Sequence, residues 1–117
     1  MRRESPLRSS RVRGSAAKAG LLIVLDEIWD EMEKTGALTV ANRIAVREAS
    51  TFAIHTARDV VHRVYHEAGS TAIFDNQPFE RRLRDMNSVS QQLQGRRTHF
   101  ETVGLYILGG EPNLRWV

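Results

Sequence analysis

The chain has 117 residues, of which 41% are hydrophobic, so it can form one domain with a modest core but not two domains of ordinary size. It contains no cysteine, which excludes disulfides, thiolate zinc sites and thiol nucleophiles and favours a reducing, cytoplasmic setting. The net charge is +3, but arginines at positions 2, 3, 8, 11 and 13 concentrate the excess near the N-terminus. The longest apolar run, residues 20–25, is too short to cross a bilayer, so no membrane segment is predicted.

The N-terminal arginines define a predicted basic, flexible arm over residues 1–11, followed by a helical bundle over residues 12–117. A basic arm can bind nucleic acid through phosphate contacts. This one has no interleaved aromatic residues and no recognisable nucleic-acid motif. We therefore favour a solvated terminus and expect no nucleic-acid partner.

The first predicted helix runs from Val12 to about Lys34, because apolar residues recur there at spacings of three and four. A glycine suited to the left-handed cap conformation follows in Thr35-Gly36, and Thr39 or Asn42 can cap the next helix. The short loop predicts an antiparallel pair. The apolar positions of the first helix are Ala17, Leu21, Leu22, Leu25, Ile28, Trp29 and Met32.

The second predicted helix spans roughly Val40 to Ala68, about 40 Å at the usual rise of about 1.5 Å per residue, and Gly69 closes it. Its apolar face is rich in small residues, which let a neighbouring helix approach closely. The members of that face are Ala49, Ala53, Ala57, Val60, Val61, Val64 and Ala68.

A third helix is predicted from Pro78 to about Leu93, because proline is tolerated in a first helical turn. After a break at Gly95, a last helix runs from about Arg97 to Leu108 and is stopped by residues 109–112. These elements predict an all-α, antiparallel up-down four-helix bundle.

The third helix opens with a dense set of charges. Glu80 and Arg84 are four residues apart with the acid first, and Arg81 and Asp85 form the reverse pair. Such pairs usually decorate a surface. Their place between a glycine turn and another apolar helix also allows a buried or interfacial network.

One stripe of the second helix carries possible metal ligands, because His55, Asp59, His62 and His66 share one face. We favour a solvated polar face, since metal sites normally draw ligands from several elements, and we predict no metal site. His99 is expected to be structural or exposed. The sequence has no serine nucleophile elbow, phosphate loop or dinucleotide glycine fingerprint, so no catalytic residue is assigned.

The order of motifs from the end of the long helix onward is more specific than any single motif. Residues 65–69 (YHEAG) are followed by 70–74 (STAIF), then 78–85 (PFERRLRD), then Gln91-Gln92, and finally Gly104 and Leu108-Gly109. This order resembles the C-terminal helical domain of the acyl-CoA dehydrogenase superfamily. It is most similar to the branch of reduced-flavin-dependent monooxygenases, and the resemblance covers the chain from about Val12 onward.

The resemblance implies a flavin-dependent oxidoreductase that uses FAD or FMN. In complete relatives the bundle packs against an N-terminal helical domain and a central β-domain, neither of which is encoded in these residues, and it forms the oligomer core. The implied partners are further copies of the chain, as a dimer or tetramer, or a separately encoded flavin domain. By position, Gly69 and Ser70 correspond to the turn that approaches the flavin, and Arg84 and Asp85 to a pair that orients helices or subunits.

Gln92 stands where the monooxygenase branch usually has a histidine, about two turns after the Arg-Asp pair. It can hydrogen-bond to a flavin but cannot exchange protons as histidine does. The glutamate base of the dehydrogenase branch has no counterpart, since Glu101 and Glu111 fall outside a matching motif.

We therefore expect a domain that forms one wall of a flavin site through Gly69, Ser70 and Gln92 and is inactive alone. The alternative from another functional class is a stand-alone helical oligomerisation module without catalysis.

Overall fold

A computed structural model of the chain describes residues 6–69, 78–115 and 117. These residues contain helices and connecting segments but no strand, so the predicted all-α helical bundle is confirmed. Its elements are α1 (Pro6–Thr35), α2 (Val40–Ala68), α3 (Phe79–Ser90), a 3-10 turn (Leu93–Gly95) and α4 (Thr98–Ile107).

Helix α1 begins at Pro6, six residues before Val12. The predicted start of this helix is therefore wrong. Proline suits the first helical position because its missing amide would have no intrahelical partner there. The early turns are also packed, since Ser10 is buried. Arg13 forms a 3.7 Å ion pair with Asp59 of α2.

Helix α2 starts and ends where the sequence predicts. Its N-cap is Thr39, whose hydroxyl accepts a 3.1 Å hydrogen bond from the amide of Asn42. Its C-cap is Gly69. Both ends depend on interactions between residues close in sequence, which is why the sequence alone located them.

The other helices pack on α2. Its partner α1 is antiparallel to it, because Arg13 near the start of α1 pairs with Asp59 in the second half of α2. Helix α3 covers the C-terminal half of α2 and is also antiparallel to it. Helix α4 meets α2 where the ring of Phe100 lies 6.0 Å from that of His55. The bundle is thus centred on one helix.

The C-terminal segment also reaches α2. The guanidinium of Arg43, in the first turns of α2, donates hydrogen bonds to the carbonyls of Leu114 and Val117 at 2.9 to 3.2 Å. The segment after α4 is therefore fixed to the N-terminal part of α2.

The core is thin. The buried apolar side chains in the described residues are Ala17, Ile28, Ile44 and Val103, and Thr51 of α2 is completely buried at 0% exposure. Small side chains occupy the centre because α2 has neighbours on several sides and little room remains for larger groups.

The apolar face predicted for α1 divides into two stripes. Ala17 and Ile28 face α2 and are buried. The second stripe, at spacings of three, four and three, is exposed and consists of Leu22, Leu25, Trp29 and Met32. We call these four residues the α1 stripe. None of the described helices combines the length and apolar composition that a bilayer crossing requires.

Helix α3 ends at Ser90, three residues before the predicted Leu93, and the 3-10 turn follows. A Cβ atom added at Gly95 would lie 3.0 Å from the carbonyl oxygen of Ser90 and 3.2 Å from Cγ2 of Ile54. A larger residue at this position would require Ser90 or Ile54 to move by a few tenths of an ångström.

Replacing Gly95 by alanine should lower the free energy of unfolding by about 1–3 kcal/mol, the usual cost of overpacking a tight contact. The control is Gly20→Ala on α1, where an added Cβ meets nothing within 4 Å. It should raise the free energy of unfolding by about 0.5–1 kcal/mol through helix propensity. Urea unfolding followed by circular dichroism measures both, and equal effects would contradict the close approach.

Candidate functional site

Three members of the polar stripe of α2, Asp59, His62 and His66, are exposed as predicted, and His55 is half-buried. Nε2 of His55 lies 2.6 Å from the carbonyl oxygen of Gly95, and Nε2 of His62 lies 3.0 Å from Oδ1 of Asn87 on α3. Because a carbonyl can only accept, His55 is the donor in the first bond. These histidines hold α3 and the 3-10 turn against α2. No group of three or more potential metal ligands converges within the described residues.

His99 is structural, one of the two roles that the sequence allowed. It is buried at the start of α4, and its Nε2 lies 2.6 Å from the carbonyl oxygen of Leu93. The bond satisfies both a buried ring nitrogen and a carbonyl of the turn.

Gly69, the first predicted flavin contact, is exposed at the end of α2. It has φ 59° and ψ −140°, a conformation that L-residues rarely adopt, and its amide donates to the carbonyl of His66. An added Cβ would lie within 4 Å of no atom of the described residues. Ser70, the second predicted contact, lies outside the described residues.

Gln92, the third predicted contact, is exposed between α3 and the 3-10 turn. Its backbone amide donates to the carbonyl of Val89 at 3.1 Å. Its side-chain amide makes no hydrogen bond to any residue that the structure describes, so it can both donate to and accept from a ligand.

The structure does not bring Gly69 and Gln92 to one point. Gln92 directly precedes the 3-10 turn, which contacts α2 at His55. Gly69 lies farther along α2, seven residues or about 10 Å beyond His62, where α2 contacts α3. Between them lies an open groove whose lining includes Tyr65, Leu83, Asn87 and Ser88. A ligand that contacted both residues would have to extend along this groove.

The charges that open α3 are on its surface. Arg81 and Asp85 form a 3.8 Å ion pair with side chains 81% and 65% exposed, and Arg84 is exposed too. Glu80 and Arg84 form no ion pair within 4.0 Å, although both are described. The pairs are therefore not a buried network of this chain, and an exposed pair contributes at most about 1 kcal/mol.

The comparisons with known proteins agree with the order of motifs in the sequence. The family described as "Acyl-CoA dehydrogenase, C-terminal domain" matches residues 7–94, most of the chain. The chain belongs to the acyl-CoA dehydrogenase family. It is also 30% identical over 97 residues to the indole-3-acetate monooxygenase of Acinetobacter baumannii, an alignment that covers 83% of this chain and 25% of that protein. The chain thus spans about a quarter of the length of this curated relative.

Membership of the acyl-CoA dehydrogenase family implies flavin chemistry in general terms. Two of the three predicted flavin contacts are exposed in the described residues, Gly69 through its backbone and Gln92 with a side-chain amide that has no partner among those residues. They do not enclose a ligand, whereas cofactor sites usually bury most of the bound molecule. No catalytic step is therefore derived from this chain.

Substituting Gly69 with alanine should lower the free energy of unfolding by about 1–3 kcal/mol, because the new side chain must adopt a strained backbone conformation. Since no atom of the described residues lies within 4 Å of the added Cβ, we attribute the loss to the backbone conformation. Gly104→Ala, inside α4 with the same open surroundings, is the control and should stabilise the protein slightly. Thermal unfolding of the two variants measures the difference, and an unchanged Gly69→Ala protein would rule out the strain.

Proposed function

We propose that this chain is the C-terminal domain of a flavin-dependent oxidoreductase, where it forms one wall of the flavin site and the core of the oligomer. The observation that carries the proposal is the exposed α1 stripe on a domain of this family. Acting alone, the domain would be inactive, because it supplies neither an enclosed cofactor site nor a proton-transferring residue at Gln92. A cytoplasmic location, expected from the cysteine-free sequence, belongs to the same proposal.

The α1 stripe supports the need for a covering surface. Trp29 is 65% exposed and Leu22 is 51% exposed, although both are large apolar residues at helical spacing. The Cα radius of gyration is 17.4 Å, compared with about 13 Å for a compact domain of this length. Contiguous exposed apolar surface of this kind typically marks an interaction site. We infer that further copies of the chain, or a flavin domain, cover it.

Within the family, we favour the monooxygenase branch over the dehydrogenase branch. The support is the similarity to the A. baumannii monooxygenase together with the Arg-Asp motif on α3. In this assignment Gln92 hydrogen-bonds to the flavin, and Gly69 with Ser70 forms the turn beside it. The cofactor is FAD or FMN.

If the domain contacts a flavin, FMN or FAD should raise its melting temperature. The rise is expected either for the chain alone or for the chain co-expressed with proteins encoded beside it. Gln92→Ala should reduce that rise by removing a donor to the flavin. Glu101→Gln, an exposed position on α4 with no assigned contact, should leave it unchanged. Differential scanning fluorimetry measures the shifts, and no rise with either flavin or any co-expressed protein would refute the flavin role.

A stand-alone oligomerisation module is the second candidate, because the same α1 stripe can be covered by another copy of the chain without any flavin. The two candidates differ in the flavin-dependent melting shift, which the module would lack. Both require self-association or a protein partner.

For self-association, Trp29→Ala combined with Leu22→Ala should weaken the oligomer at least about tenfold, since burying each large apolar side chain contributes about 1.5–3 kcal/mol. The stability of the monomer should change little because both side chains are exposed. Arg11→Ala, exposed on the same helix, is the control. Sedimentation equilibrium measures the association constants. A wild-type chain that stays monomeric at high concentration would contradict an oligomer built from this domain alone.

A further inference from the structure

The bundle has a second concave surface, and none of the predicted flavin contacts lines it. It lies between the middle of α2, the end of α3, the 3-10 turn and the start of α4, and encloses about 340 Å³. Three arginines are among its lining residues, Arg58 on α2 and Arg96 and Arg97 after the turn. We call this surface the arginine cleft.

Arg58 gives the main evidence that the arginine cleft binds a ligand. Its Nε is shielded from solvent and has no hydrogen-bond partner, and its side chain makes no ion pair with the described residues. The neighbouring Asp59 is engaged with Arg13 instead. Arg58 as a whole is half-buried, and a shielded donor without a partner is unfavourable, so a ligand that accepts a hydrogen bond from its Nε would stabilise it.

Arg96 and Arg97 add two more positive charges at the mouth of the cleft. Both are exposed, and neither lies within 4.0 Å of a carboxylate in the described part of the chain. Arg97 immediately precedes α4, and its side chain makes no capping hydrogen bond. The positive end of the α4 dipole adds to the field in the same region.

We propose that the arginine cleft binds the phosphate group of a ligand. Guanidinium groups match the oxygens of phosphate with paired hydrogen bonds, and three of them suit a dianion better than a single carboxylate. Gln91 and Thr98, which also line the cleft, supply further donors. His55 does not contribute, because its Nε2 is engaged by Gly95. The proposal does not depend on the flavin role of the domain.

The test uses inorganic phosphate as the probe, with the full 117-residue chain at constant ionic strength. The Nε–H signal of Arg58 in a ¹⁵N-resolved NMR spectrum should shift and saturate with added phosphate. Chloride at the same ionic strength should not reproduce the shift. A signal that does not saturate, or that responds equally to chloride, overturns the proposal.

Two variants distinguish phosphate binding at the arginine cleft from a general effect of surface charge. Arg58→Gln should raise the dissociation constant for phosphate at least about tenfold, the effect of losing a charge-assisted contact. Arg82→Gln, an exposed arginine on α3 outside the cleft, is the matched control and should change it less than about twofold. Equal losses in the two variants would overturn the proposal.

If Arg58→Gln fails to fold by circular dichroism, Arg97→Gln replaces it. Arg97 is exposed, so its loss should leave folding intact while still weakening phosphate binding several-fold. Unchanged binding in Arg97→Gln would then count against the cleft.

A comparison of FMN with riboflavin identifies the source of the phosphate group. FMN that competes with inorganic phosphate while riboflavin does not would support the cleft and assign it to a flavin nucleotide. Saturable phosphate binding without competition by FMN would support the cleft and assign it to another phosphorylated ligand.

Discussion

The packing of several neighbours on one helix is the constraint on which the rest of the structure depends. Helix α2 contacts α1, α3, the 3-10 turn and α4, and it also binds the C-terminal segment through Arg43. Near the middle of this helix the fully buried position is held by a small side chain, Thr51. The same arrangement leaves one side of α1 uncovered, because α2 can bury only one stripe of it.

Sequence patterns located the helices well but not their partners. Caps such as Thr39 and Gly69 are local interactions, and the structure places both as predicted. The polar stripe of α2 is mostly exposed, as its pattern predicts. The bonds of His55 and His62 to other elements cannot be predicted, because a helix pattern shows which residues share a face but not which element packs there. The start of α1 was missed because arginines dominate its first turns and dilute the apolar periodicity.

The family could be predicted from the order of motifs, and the comparisons confirm it. The candidate flavin contacts remain predictions, because one surface alone does not define where a flavin would lie against it. The arginine cleft could not be predicted because its charges come from separate elements. Arg58 resembles any other helical arginine until packing shields its Nε from solvent.

The two histidines that hold the 3-10 turn have a consequence for motion within the domain. His55 of α2 and His99 of α4 each donate a hydrogen bond to a backbone carbonyl of the turn. The turn is therefore fixed both to α2 and to the start of α4. We expect the turn and the start of α4 to stay fixed on α2 as one unit, with slow amide exchange at the joint, rather than to act as a hinge between α3 and α4.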